Sequence, residues 1–316
     1  MIGVRALSPG GASRLVASGL NWLIHDVSKD GRALVENFLY RNGVEVAVPG
    51  SRGNREMSFL DGTTVADFSP DGRQLLFSET SQGGGPSASV YVRETDGSAP
   101  VRLGDGMAQQ LSPDGKWALA LLQVPPPSRI VLLPTGVGDR RVIDAGLESY
   151  TSAAWVDHGQ RLLIFGREAG HGLRGYVVAL DGSGRRAVTP EGVGAVGVVG
   201  PDGRSFVARA PSGRFVIYDV AGTPERSVAG IEPGEEPIQW ADDGALYVWQ
   251  RGEVPAPVYR VDPKTGVRAS WNVLSPNDNS GMISYTEAII SRDARSYAYG
   301  FTRALTSDLY LVEGWK

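Results

Sequence analysis

FSPDGRQLLFS, residues 68–78, holds the pattern that decides the fold: an apolar residue, a four-residue turn, then alternating side chains. Pro70 presets φ for the first corner, the Asp71 carboxylate can accept nearby backbone N–H groups, and Gly72 tolerates positive φ. The chain must therefore reverse at this point. Leu75 and Phe77 then alternate with Gln74, Leu76 and Ser78, a period of two that suits a strand and contradicts a helix. The same unit recurs as LSPDGKWALAL from Leu111, WVDHGQRLLIF from Trp155, VGPDGRSFVAR from Val199 and WADDGALYVWQ from Trp240. An earlier copy, VSKDGRALVEN, begins at Val27, and a degenerate one, ISRDARSYAYG, at Ile290, which makes seven.

The turn glycines serve as a ruler: Gly31, Gly72, Gly115, Gly159, Gly203, Gly244, then Ala294 in the equivalent place, at intervals of 41, 43, 44, 44, 41 and 50 residues. A period of this size is that of a four-stranded propeller blade. A second glycine turn follows a β-rich run in each repeat, as in VYVRE before Gly97, YVVAL before Gly182 and FVIYD before Gly222. Shorter fourth runs follow, such as PVRLG from Pro100. The expected fold is all-β, a seven-bladed β-propeller of four-stranded antiparallel blades filling residues 1–316 as a single domain. Because the seventh repeat stops after its third strand, SRLVAS from Ser13 to Ser18 is expected to complete the last blade, so that an N-terminal strand closes the ring. Val4 to Leu7 then reads as a surplus third strand. A start in mid-blade suggests a piece of a longer protein, with an eight-bladed or tandem propeller as the alternative.

Composition agrees and narrows function. Glycine (42) and proline (20) supply the turns of many short strands, and charged residues at 21% argue against disorder. A net charge of -4 gives no electrostatic reason to bind nucleic acid. With no cysteine there is no thiolate nucleophile, disulfide or Cys-ligated zinc. No apolar run is long enough to insert in a membrane, and the N-terminus lacks a secretory signal pattern, so the chain reads as cytoplasmic as written, or extracytoplasmic if it is the sensing part of a membrane protein.

Catalytic motifs are lacking: there is no G-x-S-x-G, H-E-x-x-H, Walker loop, H-R-D or D-F-G segment. The expectation is a non-enzyme with no catalytic residue, metal or cofactor. Binding candidates come from two places. Asp26, Asp67, Gln110 and Gln239 occupy equivalent positions in the innermost strands, just before the large apolar residue of each repeat. They can face a central channel, or serve as buried hydrogen-bonding groups between blades. The variable loops add Glu168 and His171, within Arg167 to Leu173, and Arg251, which begins the loop to Ala256. Glu235, beside Glu236, reads as solvated loop charge and completes the set. A protein or small-molecule ligand on one propeller face, bound by a monomer, is the partner these positions suggest.

The repeat unit resembles the TolB-like or PD40 variety of WD40-like propeller repeat. Longer stretches, MSFLDGTTVADFSPDGRQLLFSETSQGGG from Met57, VYVRETDGSAPVRLGDG from Val90, VLLPTGVGDRRVI from Val131 and the ending SYAYGFTRALTSDLYLVEGWK, are similar to the C-terminal propeller region of bacterial serine/threonine protein kinases. In that family a kinase domain and a membrane span precede the propeller. The resemblance implies a sensor or interaction module without kinase activity, since this sequence holds none of the kinase segments. A TolB-like envelope scaffold is the alternative, and a propeller hydrolase a further one.

Overall fold

A computed structural model describes residues 2–7, 11, 13–19, 21–123, 127–222 and 226–313. Trp315, the Gly314 turn and part of the proline loop between Gln123 and Ser128 lie outside them. The described residues form strands β1 (Ile2–Leu7), β2 (Ser13–Gly19), β3 (Trp22–Val27), β4 (Ala33–Ala47), β5 (Arg55–Glu56), β6 (Thr63–Phe68), β7 (Gln74–Glu79), β8 (Ser89–Glu94) and β9 (Val101–Asp105). Next come β10 (Met107–Leu111), β11 (Trp117–Leu122), β12 (Arg129–Pro134), β13 (Arg141–Ile143), β14 (Ser149–Val156), β15 (Arg161–Arg167), β16 (Leu173–Ala179) and β17 (Arg186–Ala187). The remainder are β18 (Val196–Val199), β19 (Ser205–Arg209), β20 (Phe215–Asp219), β21 (Arg226–Ser227), β22 (Glu235–Trp240), β23 (Leu246–Gln250), β24 (Ala256–Val261), β25 (Arg268–Leu274), β26 (Met282–Ile290) and β27 (Tyr297–Val312). They divide into a small unit, residues 1–41, 280–283 and 302–316, and a large one, residues 42–279 and 284–301.

The large unit is the propeller. Five antiparallel sheets follow in chain order, β6–β9, β10–β13, β14–β17, β18–β21 and β22–β25, each strand bonded to the next. A sixth sheet takes β26 and β27 from the C-terminal end and β4 and β3 from the N-terminal end, in the order β26-β27-β4-β3, with β5 also paired to β4. The ring is thus closed by an N-terminal strand, but not by Ser13 to Ser18: that segment pairs with Ile2–Leu7 as a hairpin in the small unit. The strands of the first repeat join this sheet instead of forming a separate one, so among the described residues the seven repeats yield five four-stranded sheets and one of five strands. Gly43 explains why β4 is the strand accepted. A Cβ there would lie 2.5 Å from the Phe301 ring. Val44 and Val46 fill the core behind it with Met57, Val65, Phe68 and Leu75.

Each SPDG turn is built as its residue types demand. Ser69 Oγ donates to Asp71 Oδ1 at 2.6 Å, Arg73 N donates to the same oxygen at 3.1 Å, and Gln74 N donates to Ser69 Oγ at 2.9 Å. Ser112 with Asp114 and Ser291 with Asp293 repeat the arrangement. Gly72 and Gly115 both sit at φ 70°, and Ala294 holds the equivalent left-handed conformation at φ 55°. A left-handed alanine costs roughly 1–2 kcal/mol, and glycine gives back roughly 0.5–1 kcal/mol in chain entropy. Ala294→Gly is therefore expected to stabilise the propeller by roughly 0.5–1 kcal/mol, read as an upward shift of the urea midpoint. An unchanged or lower midpoint would show that Ala294 is not strained.

The cores lie between blades. Leu119, Ile130, Trp155, Leu162 and Ile164 join the second and third sheets, and Phe165, Val177, Phe206 and Tyr218 join the third and fourth. Facing sheets whose apolar sides interlock in this way bury both faces of every interior blade.

Candidate functional site

The six innermost strands, β6, β10, β14, β18, β22 and β26, surround a cavity of about 410 Å³. Where their pairing registers are defined, each carries a β-bulge: the register slips at Ala66, Gln109, Thr151, Gly197 and Ile238. A bulge places an extra residue in the strand and turns side chains that regular alternation would send elsewhere. Ala66, Gln109, Gly197 and Ile238 accordingly line the channel.

Three of the equivalent polar residues meet at this wall, and each spans a blade boundary. Asp67 Oδ1 accepts from Phe68 N and its Oδ2 from Leu111 N of the next blade, both at 2.9 Å. Gln110 Oε1 accepts from Trp155 N at 3.0 Å, while Gln239 Nε2 donates to Ile290 O at 2.8 Å. Sequence reading missed a fourth member: Glu287 Oε1 accepts from Val65 N at 2.8 Å, fastening the sixth blade to the first. The Gly300 backbone makes room for it, since a Cβ there would fall 2.3 Å from that oxygen. The available signal was an acidic residue in an inner strand, just before its apolar end Ala288–Ile290. Asp26 departs from the set. It is exposed in the small unit, does not line the channel, and accepts a hydrogen bond from Val27 N at 2.8 Å.

The loop candidates are dispersed. Glu168 pairs with Arg185 at 2.6 Å, and His171 Nδ1 lies 2.8 Å from Glu191. Arg251 does line the channel, donating to Thr286 O at 3.1 Å and lying 3.6 Å from Glu236, which also meets Arg209 at 3.4 Å. Glu235 is not solvated loop charge but a buried side chain of β22. It accepts from Arg268 at 2.6 and 2.9 Å, and Glu232 N donates to it at 2.8 Å.

Burial in the wall pushes the Asp67 carboxyl up to about 7, against the opposing pull of the Leu111 N–H and the Arg292 charge. Burial also raises Glu287, opposed by Thr286, the Val65 N–H and Arg251. A carboxyl raised above its unfolded value of about 3.9 favours the folded state most at low pH, and that contribution is lost as pH rises through the folded pKa. The urea midpoint is accordingly expected to fall between about pH 5 and pH 8. Asp67→Asn should flatten that fall, leaving the smaller slope due to Glu287. An identical slope in the variant would remove Asp67 from the account.

The sheets and channel define the protein as a β-propeller of four-stranded blades, and comparison with solved structures specifies it as TolB-like in fold. A structure described as a TolB from Agrobacterium tumefaciens superimposes with a TM-score of 0.59 at 18% identity, covering 85% of this chain and 99% of that one. TolB from Acinetobacter baumannii gives 0.53 at 17% identity over 78% of this chain and 65% of its own. A prolyl endopeptidase gives 0.52 at 16% identity, covering 93% of this chain and 49% of that one. No family model and no curated protein matches the sequence. One fold thus serves chains of different kinds, and function must be argued from the channel.

Proposed function

We propose that the chain is a non-catalytic binding propeller, a sensor or protein-interaction module that receives its ligand at the channel. The observation that carries this reading is how the polar residues of the wall are used. Asp67, Gln110, Gln239 and Glu287 are committed to backbone groups across blade boundaries. Such a wall is a rigid scaffold, and contact with a partner falls to its rims, where Arg209, Glu236 and Arg251 form a charged ladder. Resemblance to the propeller of bacterial receptor kinases supports a sensing role. Fold likeness to two TolB structures favours a second reading, an envelope scaffold.

Site-specific photo-crosslinking tests the reading. A photoreactive residue at Glu253, in the exposed loop after Arg251, is expected to capture a discrete partner in cells of the source organism. One at Val137, exposed on the turn between β12 and β13, is expected to capture none. Ile238→Trp, which places a large ring in the channel, should abolish the adduct. Equal capture from both positions, or turnover of peptides or glycosides by the purified chain, would overturn the proposal.

A further inference from the structure

Two cations line the channel, and they differ in how they are satisfied. Arg251 has Glu236 and the Thr286 carbonyl. Arg292 stands in the turn after β26, at the end of the cavity where Pro70 and Pro113 of two other SPDG-type turns also lie. It is half-buried, and among the described residues its guanidinium has no hydrogen-bond or ion-pair partner. Its charge is felt by Asp67, whose two oxygens are each engaged by a backbone N–H. A guanidinium, with five donors in a planar fork, thus belongs to a residue lining a cavity of about 410 Å³, within the usual size range of small-molecule sites. A second unanswered donor belongs to a residue of the same wall: the Trp155 indole N–H is buried without an acceptor among the described residues. Of the wall amides, Gln109 and Gln239 are engaged at both ends, and Gln110 at its Oε1.

We infer that the channel binds a small organic anion whose carboxylate or phosphate group is seated on the Arg292 guanidinium. This rests on reading the channel as a binding site. Planar guanidinium and a two-oxygen anionic group are matched in geometry, and partial removal from water strengthens their hydrogen bonds. Proton uptake accompanies binding. Asp67 is poised near neutrality by its burial, and a second anion beside Arg292 raises its affinity for a proton further. The other charged groups of the wall are Glu236, Glu287 and Arg251; Glu236 and Arg251 form an ion pair, and Glu287 is bound to Val65 N.

Calorimetric titration of the full chain with glutarate and with inorganic phosphate tests this, with glutaramide as the uncharged control. Measurements with glutarate, fully ionised near neutral pH, in two buffers of different ionisation enthalpy report the proton. The expected result is saturable binding of at least one anion, none of glutaramide, and net proton uptake that is absent in Asp67→Asn. Loss of one charge-assisted pair should weaken binding roughly 10- to 100-fold in Arg292→Gln, while Arg292→Lys, which keeps the charge without the fork, retains part of it. Glutarate binding alone identifies a carboxylate ligand, and phosphate binding alone a phosphorylated one. No heat from either anion, equal binding of glutaramide, or unchanged affinity in Arg292→Gln would overturn the inference. If the Glu253 adduct still disappears in Ile238→Trp while no anion binds, the anion site fails and the binding-propeller reading stands.

Discussion

Replacing Phe206 with alanine is expected to cost the propeller about 3–5 kcal/mol, the largest single effect foreseen for this chain. Phe206 is fully buried between the third and fourth blades, where its ring stacks on Tyr218 at 5.6 Å and meets Phe165 edge-on at 6.2 Å. Truncation removes apolar area from water-excluded packing and leaves a void that β19 cannot collapse into, since it is bonded to β18 on one side and β20 on the other. Equilibrium urea unfolding measures the loss. Phe206→Leu keeps most of the volume and should cost roughly 1 kcal/mol. Near-equal midpoints for the two variants would mean that blade–blade packing does not depend on the shape of this ring.

A second large effect is expected at Arg268. Its guanidinium holds the buried Glu235 carboxylate through two hydrogen bonds and lies 4.3 Å from the Tyr259 ring centroid. Removing one partner of a buried pair costs roughly 3–5 kcal/mol, chiefly because the other charge is left unanswered. The Arg268 side chain keeps 20% exposure against 3% for Glu235, so water can partly take its place. Arg268→Met is placed near the lower end, at about 3 kcal/mol. The double variant Arg268→Met with Glu235→Gln should recover most of that loss, because no charge then remains buried. If the double variant is as unstable as the single one, packing of the arginine stem, rather than its charge, holds the fifth blade.

The ring closure combines both kinds of interaction. Glu45 on β4 accepts from the Tyr299 hydroxyl at 2.6 Å, Asn54 donates to the Tyr299 oxygen at 2.8 Å, and Asn277 donates to Asn54 O at 2.8 Å. Burial and the Glu45 carboxylate together raise the Tyr299 phenol well above its ordinary value, keeping it a donor. This polar clasp joins residues more than two hundred positions apart, and it does for the last blade what short turns do for the others.

That contrast divides what the sequence by itself determined from what tertiary structure decided. The turns, the strands after them and the repeat period were legible because each SPDG unit makes its own hydrogen bonds within a few residues, as Ser69, Asp71 and Gln74 show. Asp67, Gln110 and Gln239 were legible as equivalent positions for the same reason of period. Glu287 was missed because its part depends on Val65, which the chain reaches only by closing the ring. Arg292 was passed over because it stands where Pro70 stands in an earlier turn, and only the folded channel shows that its guanidinium has no partner among the described residues. Glu235 looked like surface charge until Arg268, 33 residues away, was seen to cover it. The closing strand itself was a tertiary decision. Any alternating apolar strand satisfies the local rule, but Gly43 lets Phe301 approach and Glu45 accepts from Tyr299, and such long-range fits are invisible to a period of two.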